Sequence, residues 1–288
     1  MKMSSNLVRD CRRHYASELE KIYGSDEANA LIMILLEHYF GIDRVKMALE
    51  PELRLSESEL LTLHFAVKEL LKNKPIQYVI GETEFCGMRF FVEEGVLIPR
   101  PETEEMVRHL AVGHWPLAVK ILDIGTGSGC IAISLAKLLK DSVVTAVDIS
   151  EKALDIAKKN AEANGVDVRF VLDDILNPKN SELTDNQYDI IISNPPYVCE
   201  SEKKEMRANV LDYEPSSALF VSDNDPLIFY RQILEFAQKT LKPNGQVWFE
   251  INEKFGTEMQ NLCHEKGFKN VEIIKDFRGK DRVLKVCR

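Results

Sequence analysis

From Val119 to the C-terminus the chain alternates short apolar runs with segments of helical period, and no other feature constrains its fold as tightly. Residues 121–124, 143–147, 168–172, 190–193 and 247–251 read as strands, and helical patterns at 131–139, 152–163 and 226–240 fall between most of them. Such alternation implies a doubly wound α/β sheet joined by right-handed crossovers. Two later runs, 271–274 and 282–286, flank the turn-like Arg278-Gly279-Lys280 and imply an antiparallel hairpin at one edge.

Upstream the pattern changes to helical period. Leu7, Cys11, Tyr15, Leu19 and Ile22 fall on one face, and Ser25-Asp26-Glu27 can cap a second helix that runs to Phe40 and stops at Gly41. A third starts at Ser56, with Glu59 completing a capping box, carries Leu60, Leu63, Val67 and Leu70, and ends before Pro75. A small helical domain is expected over residues 1–80. It holds no cluster of catalytic residue types, so its expected work is binding or positioning. Aromatic and β-branched residues around Gly87 predict a β-hairpin within a linker at 81–98, followed by a catalytic domain over 99–288. A chain of 288 residues is long enough for two cores.

Charge narrows the partners. A net charge of -9 and a pI of about 5.3 argue against a protein that holds nucleic acid mainly through phosphate contacts. The first 85 residues also carry more acidic than basic side chains, so they are not a basic arm. The start, Met1-Lys2-Met3-Ser4-Ser5-Asn6, lacks the apolar stretch of a secretory signal, and the run 30–36 is too short to span a bilayer. A cytoplasmic, monomeric protein with no membrane contact is expected. The six cysteines are scattered without metal-ligand spacing, which suggests reduced thiols and no metal site.

Three short stretches carry the chemistry. Ile121-Leu122-Asp123-Ile124-Gly125-Thr126-Gly127-Ser128-Gly129 reads as a strand, a glycine loop and a helix start, where backbone N–H groups can approach a ligand closely. A structural turn is the other reading of such a loop taken alone. The next strand ends in Asp148, about 20 residues on, where an acid grips ribose hydroxyls in nucleoside-binding sheets; alone it could equally cap the helix near Lys152. Asp173-Asp174 follows the third strand, where either acid could meet an adenine amino group, with Asp173 slightly favoured. A nucleoside-bearing cofactor is implied, and NAD and S-adenosyl-L-methionine both qualify.

The stretch Ser193-Asn194-Pro195-Pro196-Tyr197 decides between them. Asn194 Oδ1 and the Pro195 carbonyl can accept two N–H donors, and neither Pro195 nor Pro196 offers a competing donor. Tyr197 could present a flat face to a planar group. An acceptor-only rim takes a planar –NH2 and disfavours a carboxylate. Hydride transfer has no use for this; methylation of an amide or amino nitrogen does.

Together, "LDIGTGSG", "AVDIS" and "SNPPYV" resemble the class I S-adenosyl-L-methionine-dependent methyltransferases, Rossmann-like folds, of the amino/amide-nitrogen type. More narrowly, "PIQYVIGETEFCGMRFFVEEGVLIPRPETE", "DYEPSSAL", "LKPNGQVWFEI" and "GKDRVLKV" resemble the PrmC/HemK family, from about Pro75 to the C-terminus. That resemblance implies methylation of the glutamine N5 in the Gly-Gly-Gln motif of peptide chain release factors 1 and 2, with S-adenosyl-L-homocysteine as product and the helical domain binding the release factor. It implies that Gly125, Thr126, Gly127, Ser128 and Gly129 surround the methionine and ribose, that Asp148 holds the ribose, and that Asp173 or Asp174 lies near the adenine. Asn194, Pro195, Pro196 and Tyr197 would form the substrate pocket, with Asn194 also near the cofactor. Arg100, Glu102 and Glu214 could shape the wall, or serve only in salt bridges or caps. The motif is shared with DNA-adenine N6 and rRNA-guanine N2 methyltransferases, which form the alternative, and a cofactor-binding assembly factor with a degenerate site is a third reading.

Overall fold

The computed structural model describes residues 5–288, so the part of the signal-sequence expectation resting on Met1–Ser4 lies outside the described residues. The chain separates into two compact units: one holds the chain up to Gly81 together with Ala208–Tyr213, the other holds Glu82–Arg207 and Glu214–Arg288.

The first unit contains α1 (Val8–Tyr23), α2 (Ser25–Phe40), α3 (Arg44–Leu49), α4 (Glu57–Leu70) and α5 (Ile76–Ile80). Leu7, Cys11, Tyr15 and Leu19 are buried as the period demands, but Ile22 is exposed: the apolar stripe drifts off the packed face by the last turn. Ser25 does not cap α2, because Gly24 occupies the cap position and no side chain bonds the first turn. At the other end Gly41 adopts the left-handed conformation, and Ile42 N–H reaches back to the Leu36 carbonyl at 3.2 Å. The α4 capping box forms as expected, with Ser56 N–H donating to Glu59 Oε2 at 2.7 Å. α3 and α5 are too short for their periodicity to stand out in the sequence.

In the second unit, β1 (Glu82–Phe85) and β2 (Met88–Phe91) pair antiparallel around Cys86-Gly87, whose φ values of 52° and 74° make the two-residue turn that matches strand twist. α6 (Pro101–Ala111) follows, with proline in its first turn. Then come β3 (Lys120–Ile124), α7 (Cys130–Leu138), β4 (Val143–Asp148), α8 (Glu151–Asn164), β5 (Arg169–Leu172), α9 (Ser181–Thr184) and β6 (Tyr188–Ser193). Beyond them lie β7 (Val198–Cys199), α10 (Ala208–Tyr213, of the first unit), α11 (Ser216–Leu219), β8 (Phe220–Val221), α12 (Ile228–Thr240), β9 (Leu241–Glu250), α13 (Gly256–Glu265), β10 (Lys269–Lys275) and β11 (Asp281–Cys287).

A seven-stranded sheet runs in the order β10-β11-β9-β6-β3-β4-β5. The five strands from β9 to β5 are parallel, and β11 inserts antiparallel between β9 and the edge strand β10. The expected doubly wound sheet and antiparallel C-terminal hairpin are both present. β9 starts at Leu241 rather than 247, because a register shift against β6 absorbs the Pro243-Asn244-Gly245 excursion. Alternate strand residues feed two cores. Leu122, Ile191, Val247 and Phe249 pack with α12 and α13 on one face, and Ile121, Ile190, Ile192 and Trp248 pack with α6 and α7 on the other. Each such side chain contributes about 1.5–3 kcal/mol on burial, which is why the strands read as continuous apolar runs. Among the described residues no helix is long and apolar enough to cross a membrane.

Candidate active site

The parallel order places the carboxyl ends of β3, β4, β5 and β6 at one edge, and a cavity of about 290 Å³ opens there. Gly125, Thr126, Gly127, Ser128, Asp148, Asp173, Asp174, Asn194, Pro195 and Pro196 line it. Two of the sequence's candidates, Gly129 and Tyr197, are not part of that lining, and Asp173, though part of it, is engaged by backbone N–H groups, as described below.

The glycine loop is built by its neighbours. Gly125, Gly127 and Gly129 have φ values of 75°, 56° and 81°, a region that favours glycine. A Cβ at Gly125 or Gly127 would meet nothing within 4 Å, so the backbone there is open to a ligand. Gly129 faces inward, and a Cβ on it would come within 2.8 Å of Ile133 Cδ1 and 3.0 Å of Ala157 Cβ. Its role in this geometry is close packing of the loop against α8. Below the loop, Asp123 is fully buried and accepts from Thr126 Oγ1 at 2.6 Å, while burial pushes its carboxyl up to about 7.

Asp148 Oδ2 accepts from Gly127 N–H at 2.8 Å and Oδ1 from Ser150 N–H at 2.9 Å. Burial raises its pKa and these N–H groups oppose the shift. The α8 cap is Ser150, whose Oγ accepts from Ala153 N–H, so Asp148 is free of that task and faces the cavity. The two acids after β5 also divide their work. Asp173 spends both oxygens on the N–H groups of Asp174, Lys179 and Asn180, folding the following loop. Among the described residues Asp174 holds only the Leu176 N–H, through Oδ1, so it rather than Asp173 has an oxygen to offer a ligand. Exposed Ile149 and Leu176 line the same end and supply apolar surface for a flat ring.

β6 ends beside β3 with Ser193 opposite Ile124, and Ser193 Oγ donates to the Ile124 carbonyl at 2.7 Å. Asn194 and Pro195 are thereby fixed next to the glycine loop. Asn194 Nδ2 donates to Thr103 Oγ1 at 3.1 Å, and neither Asn194 Oδ1 nor the Pro195 carbonyl has a donor among the described residues. Tyr197 does not line the cavity. Its ring packs on the core behind the loop, its hydroxyl donates to Glu250 Oε1 at 2.8 Å, and burial with the neighbouring Glu250 raises its pKa well above the ordinary value.

Arg100 lines the cavity and pairs with buried Glu214 at 2.5 Å, while Glu214 also accepts from Ile98 N–H. That pair ties the 95–100 wall to the segment entering α11; Glu102 is not part of the lining. Three residues were not singled out in the sequence: Thr103, Glu250 and Asn160. Fully buried Asn160 accepts from Phe91 N–H and donates to the carbonyls of Phe91 and Ser128, joining the hairpin to the glycine loop. Glu250 did leave a signal, as a carboxylate inside the otherwise apolar run 247–251.

Two family descriptions match the chain: a methyltransferase small domain over residues 102–213 and a PrmC N-terminal domain over residues 10–81. A protein of Flavobacterium psychrophilum named release factor glutamine methyltransferase is 46% identical, over 97% of this chain and 99% of its own length. One of the same name from Bacteroides thetaiotaomicron is 48% identical, over 94% of this chain and 96% of its own. A methyltransferase structure from Pyrococcus furiosus is similar in fold, with a TM-score of 0.53 at 22% identity, over 76% of this chain and 96% of that one.

Proposed function

The chain belongs to the release factor glutamine methyltransferase family, and on that premise we propose that it methylates the N5 amide nitrogen of the glutamine in the Gly-Gly-Gln motif of peptide chain release factors. The observation that carries this reading is the pair of unclaimed acceptors, Asn194 Oδ1 and the Pro195 carbonyl, at the mouth of a nucleoside-sized cavity. A primary amide satisfies both with its two N–H groups. A carboxylate would face them with lone pairs.

The cavity fits S-adenosyl-L-methionine. The open backbone at Gly125 and Gly127 suits its methionine and ribose portions, Asp148 retains lone pairs for ribose hydroxyls, and Asp174 with Ile149 and Leu176 suits the adenine. When bound, S-adenosyl-L-methionine supplies an electrophilic methyl group and leaves as S-adenosyl-L-homocysteine. An amide nitrogen is a poor nucleophile because its lone pair is delocalised into the carbonyl. Asn194 and Pro195 answer this by holding both amide hydrogens, which orients the nitrogen and favours charge build-up on it as the methyl arrives. The nitrogen is acidic once methylated and loses its proton to water.

The net charge of -9 favours a protein substrate over the DNA-adenine or rRNA-guanine alternative. The helical unit, which the PrmC N-terminal description matches, is on this reading the part that binds the release factor. Methyl transfer to purified release factor, compared between the wild type and Asn194→Ala, tests the reading; unimpaired transfer by the variant would refute the role given to Asn194.

A further inference from the structure

Asn194 can serve as an acceptor only if its amide faces the substrate oxygen-first, and the structure contains a device that sets this. Its Nδ2 lies 3.1 Å from Thr103 Oγ1 on α6, and Thr103 Oγ1 lies 2.5 Å from Glu250 Oε2 at the end of β9. The other carboxylate oxygen accepts from Tyr197. Thr103 is 2% and Glu250 1% exposed, so water does not compete for these bonds.

We propose that Glu250 and Thr103 are positioning residues that orient Asn194, the carboxylate fixing the direction of the hydroxyl and the hydroxyl fixing the direction of the amide. The inference rests on the reading of Asn194 as the amide clamp.

The argument is one of hydrogen-bond parity. A carboxylate only accepts, so the single hydrogen of the Thr103 hydroxyl is committed to Glu250. Toward Asn194 the Thr103 oxygen can then only accept, and the group turned to it must be Nδ2. Oδ1 is left facing the cavity. A flipped amide would set two lone pairs against each other at Thr103 and offer N–H to the N–H of the substrate. Burial raises the pKa of Glu250 and Glu102 adds to this, while the hydroxyls of Thr103 and Tyr197 and positive Arg282 on β11 favour the ionised form on which this polarity depends.

Three variants and one cycle test this. Thr103→Val keeps the shape and removes the hydroxyl; kcat for methyl transfer is expected to fall about 10–100-fold, with the dissociation constant for S-adenosyl-L-methionine changed less than about twofold. Thr103→Ser restores the hydroxyl and is expected to recover kcat to within about threefold of wild type. In an Asn194→Ala background Thr103→Val is expected to cost less than about twofold more, because the group it orients is gone. An inactive Asn194→Ala with a fully active Thr103→Val, or an equal loss from Thr103→Val in both backgrounds, would overturn the relay alone. A fully active Asn194→Ala would instead overturn the clamp reading, and the relay with it.

Discussion

The backbone N–H of Gly127 donates to the Asp148 carboxylate at 2.8 Å, so the loop that follows β3 is pinned by the acid that ends β4. One side chain thus shapes the backbone cradle and presents lone pairs to the cavity it helps to form. Asp148→Ala removes both effects. The dissociation constant for S-adenosyl-L-methionine, read by titration calorimetry, is expected to rise about 10–100-fold, the equivalent of one or two charge-assisted hydrogen bonds. A change of less than about twofold would take Asp148 out of the binding site.

Gly127 and Gly129 stand two residues apart and are expected to fail differently. Gly129→Ala drives a Cβ into Ile133 and Ala157 at positive φ and should lower unfolding free energy by about 2–4 kcal/mol in urea titration. Gly127→Ala has room for its Cβ and should lower stability by only about 1–2 kcal/mol, from positive φ, while weakening cofactor binding. Equal losses of stability would contradict this division of roles.

Asp123 gives a pH signature. Its carboxyl titrates at about 7 in the folded protein, against an ordinary value of 3.8. Between these values the folded state holds a proton that the unfolded chain has lost, so this group's contribution falls as pH rises through the window and is level above it. Asp123→Asn removes the dependence. Relative to wild type, the variant should gain up to about 4 kcal/mol in stability between pH 4 and pH 8, measured as the change in urea midpoint at each pH. A constant difference across the window would show that Asp123 is not held neutral.

The centre of the sheet was legible because β3 and β6 are buried on both faces and therefore almost wholly apolar, and because period distinguishes strands from the helices between. Asp148 and Asn194 were legible because their positions at strand ends follow from the order of the strands. What escaped the sequence is geometric. Asp173 and Asp174 are adjacent and chemically identical, and only the path of the loop at 174–180 decides which one is consumed by backbone N–H groups. Gly129 carries the same motif signature as Gly125, but its α-carbon turns toward α8. Tyr197 follows two prolines that fix the chain direction, and this aims its hydroxyl at Glu250 on a strand 53 residues away. Thr103 lies in a helix-opening segment where a threonine is unremarkable until its partners just past β6 and at the end of β9 are known. The exposed Ile22 shows the same limit: period predicts a face, and packing decides where that face ends.

The most direct measurement is mass spectrometry of the Gly-Gly-Gln peptide from a release factor incubated with the protein and S-adenosyl-L-methionine. One added methyl group on the glutamine side chain, reduced to a small residual rate with Asn194→Ala at equal protein concentration, is the expected result. An unmodified glutamine in the presence of the wild-type protein, or methylation undiminished by Asn194→Ala, would contradict an amide clamp built from Asn194 and Pro195.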